Sequence, residues 1–290
     1  MDLENFAPAK VNLFLHVGAK ALDGYHPIRS LMVFADIGDR VVFRPGEMNF
    51  QVEGPFAGDL AGEGGNLVLR ARDAFLGAVE TRVRSCGLVL HKTLPVASGL
   101  GGGSSDAAAT LRLLNEVLAA GAAGAACRRI ASSLGSDVPA CLAGAATLAR
   151  GRGEVLAAAS GLPDLDAVLV NPGVRIATAA VYAAFDEIGA VGPIKPPRGS
   201  RELATAEDVA RYLGRARNDL EAPAVRLRPE IGEALALLRT RPQVLMARMS
   251  GSGGTCFALC HDTADASRLA ARLRDDRPDW WIRRCRLAGA

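Results

Sequence analysis

The segment LPVASGLGGGSSDAAATLRLL, Leu94–Leu114, decides the fold of this chain. It follows GLVLHKTL, Gly87–Leu94, which is typical of a strand, and its second half has the apolar spacing that predicts a helix. Glycine loses more conformational entropy on folding than other residues, so a glycine run here indicates that something approaches the backbone closely. Backbone N–H groups and the positive end of a helix dipole favour phosphate, so the sequence predicts a phosphate site. Ser104 and Ser105 can cap the helix, donate to phosphate, or do both; the alternative is a plain N-cap after a loose turn.

Two familiar nucleotide motifs do not fit this segment. No lysine precedes a serine at the helix start, so the segment is not a Walker A loop. Counted from Gly99 or from Gly101, the third glycine of GxGxxG would fall on Ser104 or on Asp106. The protein-kinase glycine loop fails for the same reason, and the chain has no HRD or DFG sequence. A dinucleotide-dependent oxidoreductase is therefore a disfavoured alternative.

The bulk composition limits the class of protein. A length of 290 residues is sufficient for two domains, and a net charge of +3 gives no argument for nucleic acid or an anionic membrane as partner. The six cysteines are scattered, which indicates buried thiols in a reducing compartment. The segment MDLENFAPAK lacks the features of a signal peptide, and no apolar run reaches membrane-spanning length. We therefore expect a cytoplasmic protein.

Strand and helix patterns follow one another along the chain, which predicts the α/β class. KVNLFLHV, Lys10–Val17, alternates, so it predicts a strand with Lys10 and Asn12 on one face. The segment Gly151–Asp164 is rich in glycine, alanine and proline and is the expected domain boundary, which gives domains 1–155 and 160–290. GPIKPPRGS, Gly192–Ser200, is expected to be an exposed loop because of its prolines.

Three motifs, in order, resemble one superfamily of small-molecule kinases. They are PVASGLGGGSSDAA, APAKVNLFLHV and, at Met249–Leu259, MSGSGGTCFAL. They resemble the GHMP kinases, named after galactokinase, homoserine kinase, mevalonate kinase and phosphomevalonate kinase. The resemblance implies two α/β domains, the N-terminal one like domain 2 of ribosomal protein S5 and the C-terminal one ferredoxin-like. It also implies ATP as the donor and Mg²⁺ as the accompanying ion, whose ligands the sequence does not locate.

Three further segments narrow the resemblance. They are DGYH at Asp23–His26, GSDVP at Gly135–Pro139 and NPGVRIAT at Asn171–Thr178. They are similar to the branch of the superfamily that phosphorylates the 2-hydroxyl of the methylerythritol unit of a cytidine diphosphate alcohol, in the non-mevalonate route to isoprenoid precursors. The alternatives are another GHMP kinase, acting on homoserine or a mevalonate derivative, and a catalytically silent ligand sensor on the same fold.

The resemblance assigns two catalytic residues. Lys10 corresponds to the catalytic lysine, and its ammonium would stabilise the negative charge that spreads over the transferring phosphoryl group. Asp137 corresponds to the catalytic base. From residue type alone, Lys10 would more simply face solvent and Asp137 would cap a helix.

Further residues are assigned to ATP. Most belong to the glycine-rich segment; Asn66, which could be only a helix cap, and Lys92 are expected near the adenosine. The assigned residues are Pro95, Val96, Ala97, Ser98, Gly99, Leu100, Gly101, Gly102, Gly103, Ser104, Ser105, Asn66 and Lys92. Asp106 would compete with phosphate for the helix dipole, so it is expected to face away or to act through a metal ion.

The remaining assigned residues bind the acceptor. Cytosine is expected to stack on Tyr25 and Tyr182 and to be read along its polar edge by His26. Asn12 would orient the acceptor, and the second glycine turn would close around the diphosphate. The assigned residues are Asn12, Tyr25, His26, Thr178, Tyr182, Gly251, Ser252 and Gly253. The simpler interpretations are a packing plug for Tyr25, a core residue for Tyr182 and a hairpin turn for the glycines.

Overall fold

The computed structural model describes residues 3–60, 65–79, 85–119, 121–189, 192–195 and 203–288. They form two compact units, each assembled from separate stretches of the chain. The first unit comprises Met1–Ala9, Ile37–Val96 and Gly101–Gly144, and the second Lys10–Asp36, Ala97–Leu100 and Ala145–Ala290. Because the units are discontinuous in sequence, they do not correspond one to one to domains 1–155 and 160–290. That division stays a prediction.

The described part of the chain contains ten strands and nine α-helices. The strands are β1 (Leu3–Val17), β2 (Ile28–Pro45), β3 (Phe50–Glu53), β4 (Cys86–His91), β5 (Thr147–Gly151), β6 (Val155–Ala158), β7 (Leu165–Asn171), β8 (Val244–Met249), β9 (Cys256–Cys260) and β10 (Trp281–Ala288). The helices are α1 (Leu67–Ala78), α2 (Gly102–Ala119), α3 (Gly124–Leu134), α4 (Val138–Ala143), α5 (Thr178–Ile188), α6 (Ala206–Leu213), α7 (Glu221–Leu227), α8 (Pro229–Arg239) and α9 (Thr263–Asp276).

In the first unit, the second half of β2 pairs antiparallel with β4, from Arg40 opposite His91 to Pro45 opposite Cys86. β3 pairs parallel with β4 on its other side. The predicted strand ahead of the glycine run is β4. Its apolar residues are buried, as expected for the middle strand of three.

Helices α1 to α4 pack against one another in the first unit. The predicted helix after the glycine run is α2, and it buries Ala107, Leu111 and Leu114, the residues whose spacing predicted it. This face of α2 lies against α1, α3 and α4, so it forms the centre of the helical layer.

In the second unit, strands β10, β7, β9 and β8 are antiparallel neighbours in that order. The first half of β2 pairs with β10, where Ala35 lies opposite Leu287, and with β5, where Ile28 lies opposite Gly151. β5 and β6 form a hairpin. The expected boundary segment therefore contains a strand, β6. Its short run of alanines gives little of the β-branched signal by which strands are recognised.

The core of the second unit lies between this sheet and its helices. Val168 of β7, Phe185 of α5, Leu235 of α8 and Leu273 of α9 all belong to one buried cluster. α8 and α9 lie against β7 and β9. This packing holds strands β8 and β9 in place. The turn that joins these two strands is the second glycine turn.

Three smaller expectations complete the fold. The six cysteines are all buried, and none of them forms a disulfide, as expected. Among the described helices, none has the length and apolar character needed to cross a membrane. Of the expected loop 192–200, residues 196–200 lie outside the described residues.

Candidate active site

β1 brings Lys10 and Asn12 together, as the alternation predicted. The Nζ of Lys10 donates to the Oδ1 of Asn12 at 2.6 Å. Lys10 is only 3% exposed and Asn12 only 2%, so the interpretation that Lys10 faces solvent is wrong. A buried ammonium requires polar partners, and Asn12 supplies one of them.

The backbone around this pair is held by the glycine-rich segment. The N–H of Lys10 donates to the carbonyl oxygen of Leu100 at 2.8 Å. The N–H of Asn12 donates to the Oγ of Ser250 at 3.1 Å, and that hydroxyl donates to the carbonyl oxygen of Gly99 at 3.0 Å. Ser250 is fully buried, so three distant segments of the chain meet at one hydroxyl.

Two glycine turns interlock in the second unit. A Cβ added to Gly99 would lie 2.3 Å from the carbonyl oxygen of Ser250, and one added to Gly251 would lie 2.8 Å from the carbonyl oxygen of Gly99. Gly99 also has a φ of +78°, which favours glycine. Close packing of backbone on backbone therefore explains these glycines, in addition to the close approach of phosphate that the sequence suggested.

The second half of the glycine-rich segment opens α2. The helix begins at Gly102, so Ser104 and Ser105 lie inside its first turn and do not cap it. The Oγ of Ser105 donates to the carbonyl oxygen of Pro8 at 2.6 Å, which occupies its only proton. Gly103 is exposed, and a Cβ there would meet only Leu67 Cδ1, at 3.6 Å. Packing within the unit does not require glycine at this position.

Lys92 lies in a buried ion cluster. Its Nζ donates to the Oδ2 of Asp39 at 2.5 Å and to the Oδ2 of Asp106 at 2.8 Å. Asp39 also accepts from the backbone N–H groups of Thr93 and Leu94, at 2.6 and 2.8 Å. The expectation that Asp106 turns away from the start of α2 fits this cluster.

The pKa values of Asp106 and Lys92 are both raised in this cluster. Burial raises the pKa of Asp106 to about 7, opposed by the Lys92 ammonium and supported by the Asp39 carboxylate. For Lys92, burial acts to lower the pKa, but the two carboxylates override it and raise the pKa. The Oδ1 of Asp106 has no hydrogen-bond partner among the described residues. Asp39 was missed because it lies 53 residues from Lys92 on another strand.

Two predicted residues of the first unit lie at helix starts. The Oδ1 of Asn66 accepts from the N–H of Val68 at 2.9 Å, so Asn66 caps α1. Asp137 occupies the N-cap position of α4, but its side chain makes no capping hydrogen bond. Helix capping therefore explains why residue 66 is an asparagine. It does not explain why residue 137 has a carboxylate.

The second unit brings His26 and Tyr182 together. Their ring centroids lie 5.2 Å apart, and the ring of Phe185 meets His26 edge-on at 5.5 Å. The Nδ1 of His26 lies 2.9 Å from the carbonyl oxygen of Gly18, and its Nε2 lies 3.1 Å from the Oδ1 of Asp186. Asp186 was missed because an acidic residue on an exposed helix face carries no special signal.

Tyr25 is 56% exposed, so it is not a packing plug. The guanidinium of Arg152 lies 4.0 Å from the centroid of its ring and bonds the Oδ2 of Asp23 at 2.6 Å. A ring held on one side and open to solvent suits the stacking of a flat base. Arg152 was missed because it lies in the expected boundary segment.

Thr178 and Ser252, both assigned to the acceptor, lie within 2.8 Å of each other through their hydroxyl oxygens. Thr178 is the first residue of α5, and Ser252 lies in the β8–β9 turn. Three groups of predicted residues therefore lie in the second unit. They are Lys10 with Asn12, Tyr25 and His26 with Tyr182, and Thr178 with the second glycine turn.

Comparisons with known proteins establish the family of this chain. The chain matches the family models described as GHMP kinases N terminal domain over residues 66–145 and GHMP kinases C terminal over residues 201–279. A solved structure of 4-(cytidine 5'-diphospho)-2C-methyl-D-erythritol kinase matches with a TM-score of 0.80 and 35% identity, covering 99% of this chain and 100% of that one. The expected GHMP kinase fold is thereby confirmed.

Two bacterial relatives match over nearly their whole length. A 4-diphosphocytidyl-2-C-methyl-D-erythritol kinase of Caulobacter vibrioides (strain NA1000 / CB15N) is 53% identical over 291 residues, which covers 99% of this chain and 100% of that protein. The protein of the same name from Paracoccus denitrificans (strain Pd 1222) is 44% identical over 286 residues, covering 98% and 96%. With its glycine turns and its buried Lys10–Asn12 pair in place, this chain belongs to the 4-diphosphocytidyl-2-C-methyl-D-erythritol kinases of the GHMP kinase family.

Proposed function

We propose that this protein transfers the γ-phosphoryl group of ATP to the 2-hydroxyl of 4-diphosphocytidyl-2-C-methyl-D-erythritol. The observation that carries the proposal is the buried, hydrogen-bonded Lys10–Asn12 pair, tied through Ser250 and Leu100 to both glycine turns. An ammonium held this way suits a reaction in which charge spreads over the transferring phosphoryl oxygens.

Each bond change has a proposed residue. The oxygen of the 2-hydroxyl forms a bond to the γ-phosphorus, and the bond to the β–γ bridging oxygen breaks, so that ADP leaves. The proton of the hydroxyl passes to the carboxylate of Asp137. Lys10 stabilises the charge on the γ-phosphoryl oxygens, and Asn12 orients the acceptor. Because the transition state of phosphoryl transfer is loose, positioning contributes more than the strength of the base.

ATP is proposed to bind at the start of α2. Gly102 and Gly103 place backbone N–H groups in the first turn of an 18-residue helix, where the dipole favours phosphate. Mg²⁺ is proposed to accompany ATP and to neutralise phosphate charge. Among the described residues no group of three or more His, Cys, Asp or Glu side chains is arranged to hold a metal ion, so phosphate oxygens and water would supply most of its ligands.

The base of the acceptor is proposed to bind at Tyr25, His26 and Tyr182. Tyr25 is exposed, and the ring of Tyr182 lies next to that of His26, so both aromatic rings are available for stacking. Both ring nitrogens of His26 already face an acceptor oxygen. Reading of the base by the His26 ring would therefore replace the more exposed partner, Asp186.

The same proposal places the protein in the cytoplasm. Its donor is ATP, and none of its six cysteines forms a disulfide, as in a reducing compartment.

The experiment that tests the proposal is a coupled assay of ADP release with 4-diphosphocytidyl-2-C-methyl-D-erythritol, ATP and Mg²⁺. We expect release that depends on the cytidine alcohol and disappears in Lys10→Ala. Homoserine and mevalonate serve as competing acceptors in parallel reactions. Release with either of these instead would overturn the assigned acceptor, and no release with any acceptor from folded protein that binds ATP would favour a silent sensor.

A further inference from the structure

The amide of Asn12 has a defined orientation in the structure. Its Oδ1 accepts from the Nζ of Lys10 at 2.6 Å, and its Nδ2 donates to the Oγ of Ser30 at 2.7 Å. Ser30 lies on β2 and is fully buried. The amide therefore lies between an ammonium and a hydroxyl, both shielded from water.

The hydroxyl of Ser30 decides which end of the amide faces Lys10. That hydroxyl donates its only proton to the carbonyl oxygen of Phe14 at 2.6 Å. Since the proton is committed, the Oγ of Ser30 can only accept from Asn12, which must then present its NH₂ group. The amide oxygen is thereby directed at the ammonium of Lys10, which has no acceptor capacity of its own.

We infer that Ser30 is a positioning residue of the phosphoryl transfer, which holds the Asn12 amide oxygen against the Lys10 ammonium. This inference rests on the proposed function of Lys10 and Asn12. Ser30 acts by fixing the direction of three successive hydrogen bonds. They run from Lys10 to Asn12, from Asn12 to Ser30, and from Ser30 to the backbone of β1.

Removal of the hydroxyl has a specific consequence. In Ser30→Ala, the Nδ2 of Asn12 is left buried without its acceptor, and a flipped amide would set NH₂ against NH₃⁺. The Asn12 oxygen is then no longer held against the ammonium of Lys10, while the groups assigned to ATP and to cytosine are unchanged. We therefore expect kcat to fall about tenfold or more, with the KM values of both substrates within about twofold of wild type.

Three variants separate the hydrogen bond from side-chain volume. Ser30→Thr keeps the hydroxyl and is expected to restore most of kcat, whereas Ser30→Cys keeps the size with weak hydrogen bonding and is expected to resemble Ser30→Ala. Thr147→Val is the matched control, because Thr147 is also a buried hydroxyl bonded to a backbone carbonyl, that of Ala145 at 2.7 Å. Its kcat is expected to equal that of wild type.

A second measurement does not depend on the acceptor. The side-chain amide protons of Asn12 are followed by NMR in the full-length protein, and we expect slow exchange with solvent in wild type and Ser30→Thr but fast exchange in Ser30→Ala. Unchanged kcat in Ser30→Ala, or unchanged protection of the amide, would overturn the inference. If wild type phosphorylates no cytidine alcohol, the proposed function fails, and the NMR result still decides whether Ser30 holds the Asn12 amide.

Discussion

Asp137 has two competing interpretations, a helix cap and a catalytic base. Its position at the N-cap of α4 makes capping the ordinary explanation, but the side chain makes no capping hydrogen bond. Its carboxylate is therefore not needed to hold the first turn of the helix. Asp137→Asn, which removes the charge and keeps the size of the side chain, should therefore affect catalysis without removing a helix cap.

Asp137→Asn is expected to lower kcat by about two orders of magnitude or more, since general base catalysis contributes roughly that much, while ATP binding and Tm stay near wild type. Steady-state ADP release, ATP titration and thermal unfolding measure the three quantities. Asp262→Asn is the matched control, because Asp262 caps α9 through its side chain, accepting from the N–H of Asp265 at 2.7 Å. A variant of Asp137 with normal turnover would show that another group accepts the proton.

Asp106 gives the stability of the protein a pH dependence. The pKa of Asp106 in the folded protein is raised to about 7 from 3.8, chiefly by burial. Between about pH 4 and pH 7 the folded state therefore binds more protons than the unfolded state, so this residue lowers the free energy of unfolding as pH rises through that window. Above about pH 7 its contribution is constant.

In Asp106→Asn this part of the pH dependence is expected to disappear. The difference in Tm, wild type minus variant, should fall by roughly 5 °C as the pH rises from 4.5 to 7.5. Differential scanning fluorimetry at half-unit intervals measures it, with the exposed Asp279→Asn as the control that keeps the wild-type slope. Parallel curves for wild type and Asp106→Asn would show that Asp106 stays ionised throughout.

At the scale of the element, the glycine-rich segment contains glycines in two different environments, which two substitutions distinguish. Gly99 has a positive φ, and its Cα lies against the backbone of the β8–β9 turn. Gly103 lies in the first turn of α2 with room for a methyl group. The first position is required by packing, and the second is available to phosphate.

Gly99→Ala is expected to lower Tm by several degrees, because its Cβ would lie 2.3 Å from the carbonyl oxygen of Ser250 and its φ is strained for alanine. Gly103→Ala is expected to keep Tm or raise it slightly, because alanine favours helix, but to raise the KM of ATP about tenfold. Thermal unfolding measures Tm, and the rate of turnover at increasing ATP concentration measures the KM of ATP. An unchanged KM for ATP in Gly103→Ala would remove Gly103 from the ATP site.

Three side chains form a stripe along one face of helix α5. Thr178, Tyr182 and Asp186 are spaced by four residues, so they lie on one face. Thr178 contacts Ser252, and the other two contact His26. One helix therefore connects the glycine turn with the proposed base site.

Tyr182→Ala is expected to raise the KM of the cytidine alcohol about tenfold, which corresponds to the loss of one stacked base, and to leave the KM of ATP unchanged. Tyr182→Phe should behave as wild type because the ring is kept. Ala183→Ser, at an exposed position one residue off the stripe, is the control. If KM for the cytidine alcohol is the same in Tyr182→Ala and the control, the base does not stack on α5.

Comparison with the sequence shows what local patterns predict. The alternation of Lys10–Val17 predicted that Lys10 and Asn12 share a face, and helical spacing predicted α2, because both depend on neighbours in sequence. Ser30, Asp39 and Ser250 were not predicted. Each is an ordinary residue whose role depends on a partner 18 to 238 residues away, for example Ser30 and Ser250 on Asn12. Such contacts exist only after the chain has folded.

At the scale of the whole molecule, one buried arginine joins distant parts of the second unit. Arg248 on β8 is 8% exposed and donates to the carbonyl oxygens of Leu13, Leu213 and Ala216 at 2.8 to 2.9 Å. Burial lowers the pKa of Arg248 to about 10, which the nearby Glu221 carboxylate opposes. The guanidinium thus fixes β1 directly after Asn12.

Arg248→Met keeps most of the side-chain volume but removes the donor to the carbonyl groups of Leu13 and Ala216, whereas that of Leu213 keeps the N–H of Ala216. Each buried carbonyl group that loses its donor costs about 1 kcal/mol or more, so we expect Tm to fall by roughly 5 °C. Arg226→Met, which removes an exposed pair with Glu187, is the control and should change Tm by about 2 °C or less. Equal effects of the two substitutions would contradict a special role of Arg248.

The discontinuous units also set an order of events during synthesis. The chain passes between the two units five times, and Ala35 of β2 finds its strand partner only at Leu287 of β10. The second half of β2 can pair with β4 early, but the segment around Ala35 can pair with β10 only after residues up to Leu287 have been synthesised. Strand pairings between residues so far apart in the sequence slow folding. Until such a pairing forms, an apolar strand edge stays unpaired. The nascent chain is accordingly expected to need protection from aggregation until β10 has left the ribosome.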